Sequence, residues 1–303
     1  MSKSLPALAG ALLLLCGCAS QAPHSSSPAA SAPAAAASAP AAPVATTPAD
    51  DNLNAVAWSQ TAVEHDLIYL ETYRNAQSQL LGALKDKQWD ALPKDDRIAA
   101  YKGLKPAVIL DIDETALDNS PYQARLIHSG GEYNEADWAA WCKEERARAL
   151  PGAVAFTQFA AKHGIAVIYI SNRSQDLDTA TIDNLRKVGF PVSGPEAFLG
   201  LGTILRGCDQ VGTEKNCRRQ LVSQHYRVLM QFGDQLGDFV SVLTNTDAGR
   251  AQAIAPYMNW IGTRWFVLPN PTYGSWEPAL FNNEWGTPRD QRRHQKIDAL
   301  RTD

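Results

Sequence analysis

Four short apolar runs, at residues 107–110, 166–170, 228–232 and 265–268, constrain this chain more than any other feature. Each is too short for a helix of ordinary length and apolar but for Gln231, which predicts strands buried on both faces. Segments with helical patterning separate them, for example 177–188 and 215–225. Strands alternating with helices build a parallel sheet covered on both faces, so the expected fold class is α/β. Upstream, Val56, Val63, Leu67, Leu70 and Tyr73 recur at helical spacing and predict one long amphipathic helix starting near Asn52. With 303 residues, 45% hydrophobic and 20% charged, the chain can bury one full core and still carry extensions. It shows no internal repeat at solenoid or propeller spacing.

Parallel sheets bind ligands at the carboxyl ends of their strands. Three of the four runs end there in a polar or acidic cluster. The first runs directly into Asp111-Ile112-Asp113-Glu114-Thr115. Such crowding of carboxylates is electrostatically costly, and is tolerated where a cation binds or a group keeps its proton. The second ends in Ser171-Asn172-Arg173, a hydroxyl, an amide and a planar cation that suit phosphate oxygens. The third brings Asp234, with Asp238 just beyond, to the same edge, and Lys215 starts the helix before it. The net charge of -4 supplies no basic field for a nucleic-acid polymer. The six histidines lack paired metal-ligand spacing, no Cys-x-x-Cys occurs, and Gly-x-Ser-x-Gly is absent.

The N-terminus carries Lys3, an apolar run from Leu5 to Leu15 and then Cys16-Gly17-Cys18. The run is too short to span a bilayer. It resembles a bacterial lipoprotein signal, which implies removal of 1–17 and lipidation of Cys18. Ala19 after that cysteine implies an outer-membrane destination, on the periplasmic or surface face of the cell envelope. Residues 18–50 are almost entirely Ala, Pro, Ser and Thr, the composition of a flexible tether, and 51–303 form the expected folded domain. Export places the remaining cysteines where disulfides persist. Cys208 and Cys217 bracket a short polar loop whose closure is worth about 2 to 3 kcal/mol, so a disulfide is expected there. Cys142 is then left over as a partly buried thiol.

Asp-x-Asp-x-Thr, a strand-end serine, a lysine and Gly-Asp-x-x-x-Asp, in that order, resemble the four motifs of the haloacid-dehalogenase (HAD) superfamily. The longer strings from Asp111 to Tyr122 and from Leu268 to Glu277 are similar to the class C nonspecific acid phosphatases, a group containing an outer-membrane lipoprotein 5'-nucleotidase. The resemblance covers essentially all of the chain from the first helix to Trp276. It implies a HAD-like, Rossmann-like parallel sheet and a small α-helical cap at about 119–151. It also implies Asp111 as nucleophile, forming an aspartyl-phosphate, and Asp113 as acid and base. Magnesium would be held by the Asp111 carboxylate, the Asp113 main-chain carbonyl and Asp234, hard oxygen ligands suited to it. Thr115, Ser171, Asn172, Arg173 and Lys215 would surround the phosphoryl group, with Asp238 orienting Lys215 or metal-bound water. The Lys215 to Asp234 spacing departs somewhat from the family pattern, and Arg218 is a neighbouring cation.

By position in the resembled lipoproteins, Trp138 of the cap and Tyr273 clasp a nucleobase between flat faces. The expected activity is hydrolysis of nucleoside monophosphates and other small phosphate esters, an acid phosphatase or 5'-nucleotidase. Two alternatives stay open: a phosphatase for non-nucleotide esters, and a non-catalytic surface lipoprotein that binds rather than hydrolyses. Dehalogenases, mutases and P-type ATPases fit less well, since Glu-Thr follows Asp113 and no membrane-spanning series occurs. The membrane is an expected partner through Cys18. The oligomeric state is left open, a dimer included.

Overall fold

The computed structural model describes residues 50–302. The expected signal, Cys16, Cys18 and the tether up to residue 49 lie outside the described residues. The fold opens with α1 (Leu53–Thr61) and α2 (Val63–Lys85), where one continuous helix was expected. Ala62 between them is extended, at φ -78° and ψ 123°. The reason is packing. The stripe that α2 buries is His65, Tyr69, Tyr73, Ala76, Leu80 and Ala83, whereas Val63 and Leu67 face solvent. The break turns α1 toward a later helix, α3 (Ser120–Ser129), instead of along the sheet.

After β1 (Lys105–Leu110), a hairpin of β2 (Leu117–Asp118) and β3 (Arg148–Ala149) brackets α3 and α4 (Glu135–Lys143). These pieces make the expected small helical cap. The chain continues through α5 (Ala153–Lys162), β4 (Ala166–Ser174), α6 (Asp178–Lys187) and β5 (Phe198–Leu201). It then passes through α7 (Asn216–His225), β6 (Tyr226–Gly233), α8 (Asp247–Ile254), β7 (Trp265–Val267) and α9 (Arg289–Asp298). The five longer strands form one parallel sheet in the order β5-β4-β1-β6-β7. β5 was not foreseen, because Phe198-Leu199-Gly200-Leu201 is short and interrupted by a glycine.

Alternate residues of the central strand serve two different cores, which is why its run is apolar on both faces. Val108 and Leu110 join Tyr73, Phe156 and Phe232 in one cluster, against α2 and α5. Ala107 and Ile109 join Ile168, Val228, Trp265 and, from α7, Val222 in the other. The first cluster is stapled by stacked rings, Tyr73 on Phe232 at 5.3 Å and Phe232 on Phe266 at 5.0 Å. Cys208 and Cys217 are joined by a disulfide, which ties the loop before α7 to the first turn of that helix. Among the described residues Cys142 has no disulfide partner, and it is buried. Among the described residues no helix is long and apolar enough to cross a membrane.

Candidate active site

The site begins where β1 ends. The Asp111 amide donates to the Phe232 carbonyl at 3.0 Å, so pairing with β6 runs one residue past the strand and Asp111 stands beside the Gly233-Asp234 turn. The chain then tightens: the amides of Thr115, Ala116 and Leu117 all converge on the Ile112 carbonyl. This turn forces Glu114 into the left-handed region at φ 53°, a strain of about 1 to 3 kcal/mol for a residue with a side chain. Two hydroxyls from α2 hold it. Tyr69 Oη donates to the Glu114 carbonyl at 2.5 Å and Tyr73 Oη to the Thr115 carbonyl at 2.8 Å. The Glu114 carboxyl in turn accepts from the Asn119 amide at 2.8 Å and from the Tyr273 hydroxyl. Burial, with Asp113 and Asp234 nearby, holds that carboxyl well above the usual carboxylate range.

Opposite this turn, Lys215 Nζ is buried between two carboxylates, donating to Asp111 and, at 2.6 Å, to Asp238 Oδ1. Asp238 also caps its own turn, accepting from the Gln235 amide at 2.9 Å. Gly233 makes this possible, because a Cβ there would overlap the Asp238 side chain. Asp234 accepts from Asn270 Nδ2 at 2.8 Å. Oxygen atoms of Asp111, Asp234 and Asp238 all lie within 4.8 Å of one another. Burial is the main force raising the first two. Asp111 is pushed up to about 7, with Lys215 opposing and Asp238 and Asp113 adding to the rise, and Asp234 is carried well above its ordinary value. Three neighbouring carboxyl groups around one buried lysine, which bonds Asp111 and Asp238, present hard oxygens that fit a divalent cation of the magnesium class. Asp238 holds Lys215 through Oδ1, and its carboxylate also lies beside those of Asp111 and Asp234.

The remaining expected residues divide into those that meet this cluster and those that serve it. Arg173, fully buried, does not point a free guanidinium into the site. It grips Asp113 Oδ1 through Nε at 3.0 Å and Nη2 at 2.8 Å, and also reaches Thr181 and Asn119. Asn119 completes the cradle, donating Nδ2 to Asp113 Oδ1 at 2.8 Å while Trp141 Nε1 fixes its carbonyl oxygen. Ser171 Oγ donates to Asp113 Oδ2 at 3.3 Å. Asn172 is exposed and accepts from Arg218 Nη2 at 2.7 Å. Arg218 also donates to the Ser171 carbonyl at 2.5 Å and to the carbonyls of Thr213 and Glu214. Burial and then the neighbouring Arg219 push Arg218 down to about 10. Thr115 is wholly buried, and its Oγ1 has no partner among the described residues. Trp138 packs edge-on against Tyr122 at 5.1 Å, under the Arg173 guanidinium at 5.4 Å. Tyr273 meets Glu114 rather than Trp138.

Sequence reasoning gave no supporting role to Tyr69, Asn119 or Asn270, and noted Glu114 and Arg218 only as a strand-end acid and a neighbouring cation. Only the tyrosines left a usable signal: two hydroxyl-bearing aromatics one helical turn apart on the buried face.

A family model described as HAD superfamily, subfamily IIIB (Acid phosphatase) matches residues 27–276. Among solved structures, the class C acid phosphatase of Bacillus anthracis with tungstate bound is 33% identical, with a TM-score of 0.72 over 83% of this chain and 97% of that one. A second structure of the Bacillus anthracis enzyme gives a TM-score of 0.71 at the same identity. Acid phosphatase 1 of Solanum lycopersicum is 28% identical over 170 residues, 54% of this chain and 57% of that protein. Vegetative storage protein 1 of Arabidopsis thaliana is 29% identical over 168 residues, 54% of either chain. The matched part thus spans a little over half the length of these plant relatives.

Proposed function

The chain belongs to subfamily IIIB of the HAD superfamily, the acid phosphatases, and from that premise we propose that it is a metal-dependent phosphomonoesterase that works through an aspartyl-phosphate. The observation that carries this reading is Lys215, buried between Asp111 and Asp238 with Asp234 within reach, beside an Asp113 held by Arg173 and Asn119. Asp111 attacks phosphorus as the ester P–O bond breaks, and the departing oxygen takes a proton from Asp113. Water then attacks the aspartyl-phosphate, giving its proton back to Asp113 and freeing Asp111 and phosphate. Lys215 offsets the negative charge on Asp111 and the phosphoryl oxygens. Asp111, Asp234 and the Asp113 main-chain carbonyl would hold a magnesium ion, with Asp238 alongside. When bound, the ion supplies positive charge at the transferring group. The tungstate bound by the Bacillus anthracis relative, a tetrahedral oxyanion like phosphate, supports this reading.

For substrate, we infer nucleoside monophosphates, with Trp138 and Tyr273 as the aromatics that would clasp the base. We also infer lipidation at Cys18, the tether up to residue 50 and an outer-membrane location. The test of chemistry is acid quenching during turnover of phosphate-labelled AMP. The reading requires label on Asp111 and none in Asp111→Asn; turnover without label on Asp111 rules out the covalent route. The kcat/KM for AMP, an aryl phosphate and glycerol phosphate tests the substrate, since equal values contradict a base clasp. A second reading, a protein that keeps the fold without turnover, is favoured by the storage protein among the relatives. Absence of phosphate release from all three esters would establish it over the first.

A further inference from the structure

The segment after β7 was singled out by its sequence, yet only Tyr273 within it has been given work. We infer that Asn270 is a positioning residue that sets the orientation of Asp234 and joins the metal site to the loop that carries Tyr273. The inference rests on the proposed role of Asp234 as a metal ligand.

An asparagine amide can present either its oxygen or its nitrogen, and here the surroundings decide. Three donors converge on Asn270 Oδ1: the Thr272 amide at 2.9 Å, the Thr272 hydroxyl at 2.7 Å and the Tyr273 amide at 3.3 Å. A flipped amide would set its N–H groups against the two backbone N–H groups, so the nitrogen must face the other way. There Nδ2 donates to Asp234 Oδ2 at 2.8 Å. The loop itself has little freedom. Its start is tied to the sheet, since the Leu268 amide donates to the Gly233 carbonyl at 2.9 Å, and Tyr69 Oη approaches the Pro269 carbonyl at 3.1 Å. Its far end is tied by the Tyr273 hydroxyl to Glu114. Asn270 therefore holds one oxygen of Asp234 through its amide, while the same carboxylate reaches the cluster with Asp111 and Asp238. Partners of this kind typically change metal affinity by about 10- to 100-fold when removed.

The test is titration of the full chain, stripped with EDTA, with Mn2+ alone by isothermal calorimetry, comparing wild type, Asn270→Ala and Thr272→Val. Phosphate release from AMP by the wild type is measured alongside, and circular dichroism in EDTA checks folding. For a folded Asn270→Ala the Kd for Mn2+ should rise by about 10- to 100-fold. Thr272→Val keeps the amide but loses the hydroxyl that helps lock it, so its Kd should rise less, in the same direction. Thr272→Val decides the matter if Asn270→Ala does not fold. An unchanged Kd in the folded variants overturns the inference, and so does a wild type that binds no Mn2+. A wild type that binds Mn2+ in an Asn270-dependent way but releases no phosphate leaves the role of Asn270 standing while the phosphatase reading falls.

Discussion

Arg173 illustrates how much of a residue's task depends on what it faces. From sequence it was a cation for phosphate oxygens; in the fold its guanidinium is committed to Asp113 through two nitrogens. Hydrogen bonds to charged groups are worth about 1.5 to 3 kcal/mol, so Arg173→Lys, which cannot reproduce the fork, should lower kcat by about 10- to 100-fold. Steady-state kinetics on an aryl phosphate would check this. Residue types and their strand-end spacing made the acidic cluster legible. The cradle around Asp113 was not, because Asn119 and Arg173 act there through contacts that no spacing rule encodes. Asp111 allows a prediction with a definite sign. In metal-free protein it is pushed up to about 7, mainly by burial, above the value of about 3.9 for an unfolded aspartate. Between those two values the folded state binds more protons than the unfolded one, so stability falls as pH rises through that window. Thermal unfolding in EDTA should therefore shift downward between pH 5 and pH 7, and a divalent ion should remove the trend. Cys142 is simpler: burial pushes its thiol up to about 12, so iodoacetamide at pH 8 should leave it unmodified in the folded protein, as mass spectrometry would read.

At the scale of elements, α2 and the loop before α7 act as braces for the site. Tyr73 packs on Phe232 and also satisfies the buried Thr115 carbonyl. Tyr73→Phe keeps the ring but orphans that carbonyl, so chemical denaturation should show a loss of about 1 to 3 kcal/mol. The disulfide closes the loop that leads to Lys215. Replacing both Cys208 and Cys217 by serine should destabilise by about 2 to 3 kcal/mol, visible as a lower urea midpoint. Element identity was largely readable, since strands buried on both faces have a distinctive apolar run. The exceptions have physical causes. The break at Ala62 depends on what α1 packs against, and β5 is a short edge strand whose Gly200 lies 3.1 Å, at its would-be Cβ, from the Arg173 carbonyl. Neither constraint is local in sequence.

For the molecule as a whole, the α/β class and a site at the carboxyl edge were expected from the alternation of runs and helices and the cap from the resemblance, and the family match agrees with the resemblance that the motifs carried. What the fold adds is the way distant segments meet: α2, the cap and the loop after β7 all fasten onto the turn between Asp111 and Asn119. Membrane attachment belongs to this scale as well. We propose that Cys18 anchors the chain, so Cys18→Ser should move the protein from the membrane to the soluble fraction on cell fractionation. The most direct measurement is phosphate release from AMP by the purified protein across pH 4 to 8, after EDTA treatment and again after Mg2+ is restored, with Asp111→Asn in parallel. The account predicts loss in EDTA, recovery with Mg2+, better turnover below neutral pH and an inactive Asp111→Asn. Release that persists in EDTA, or in Asp111→Asn, would contradict it.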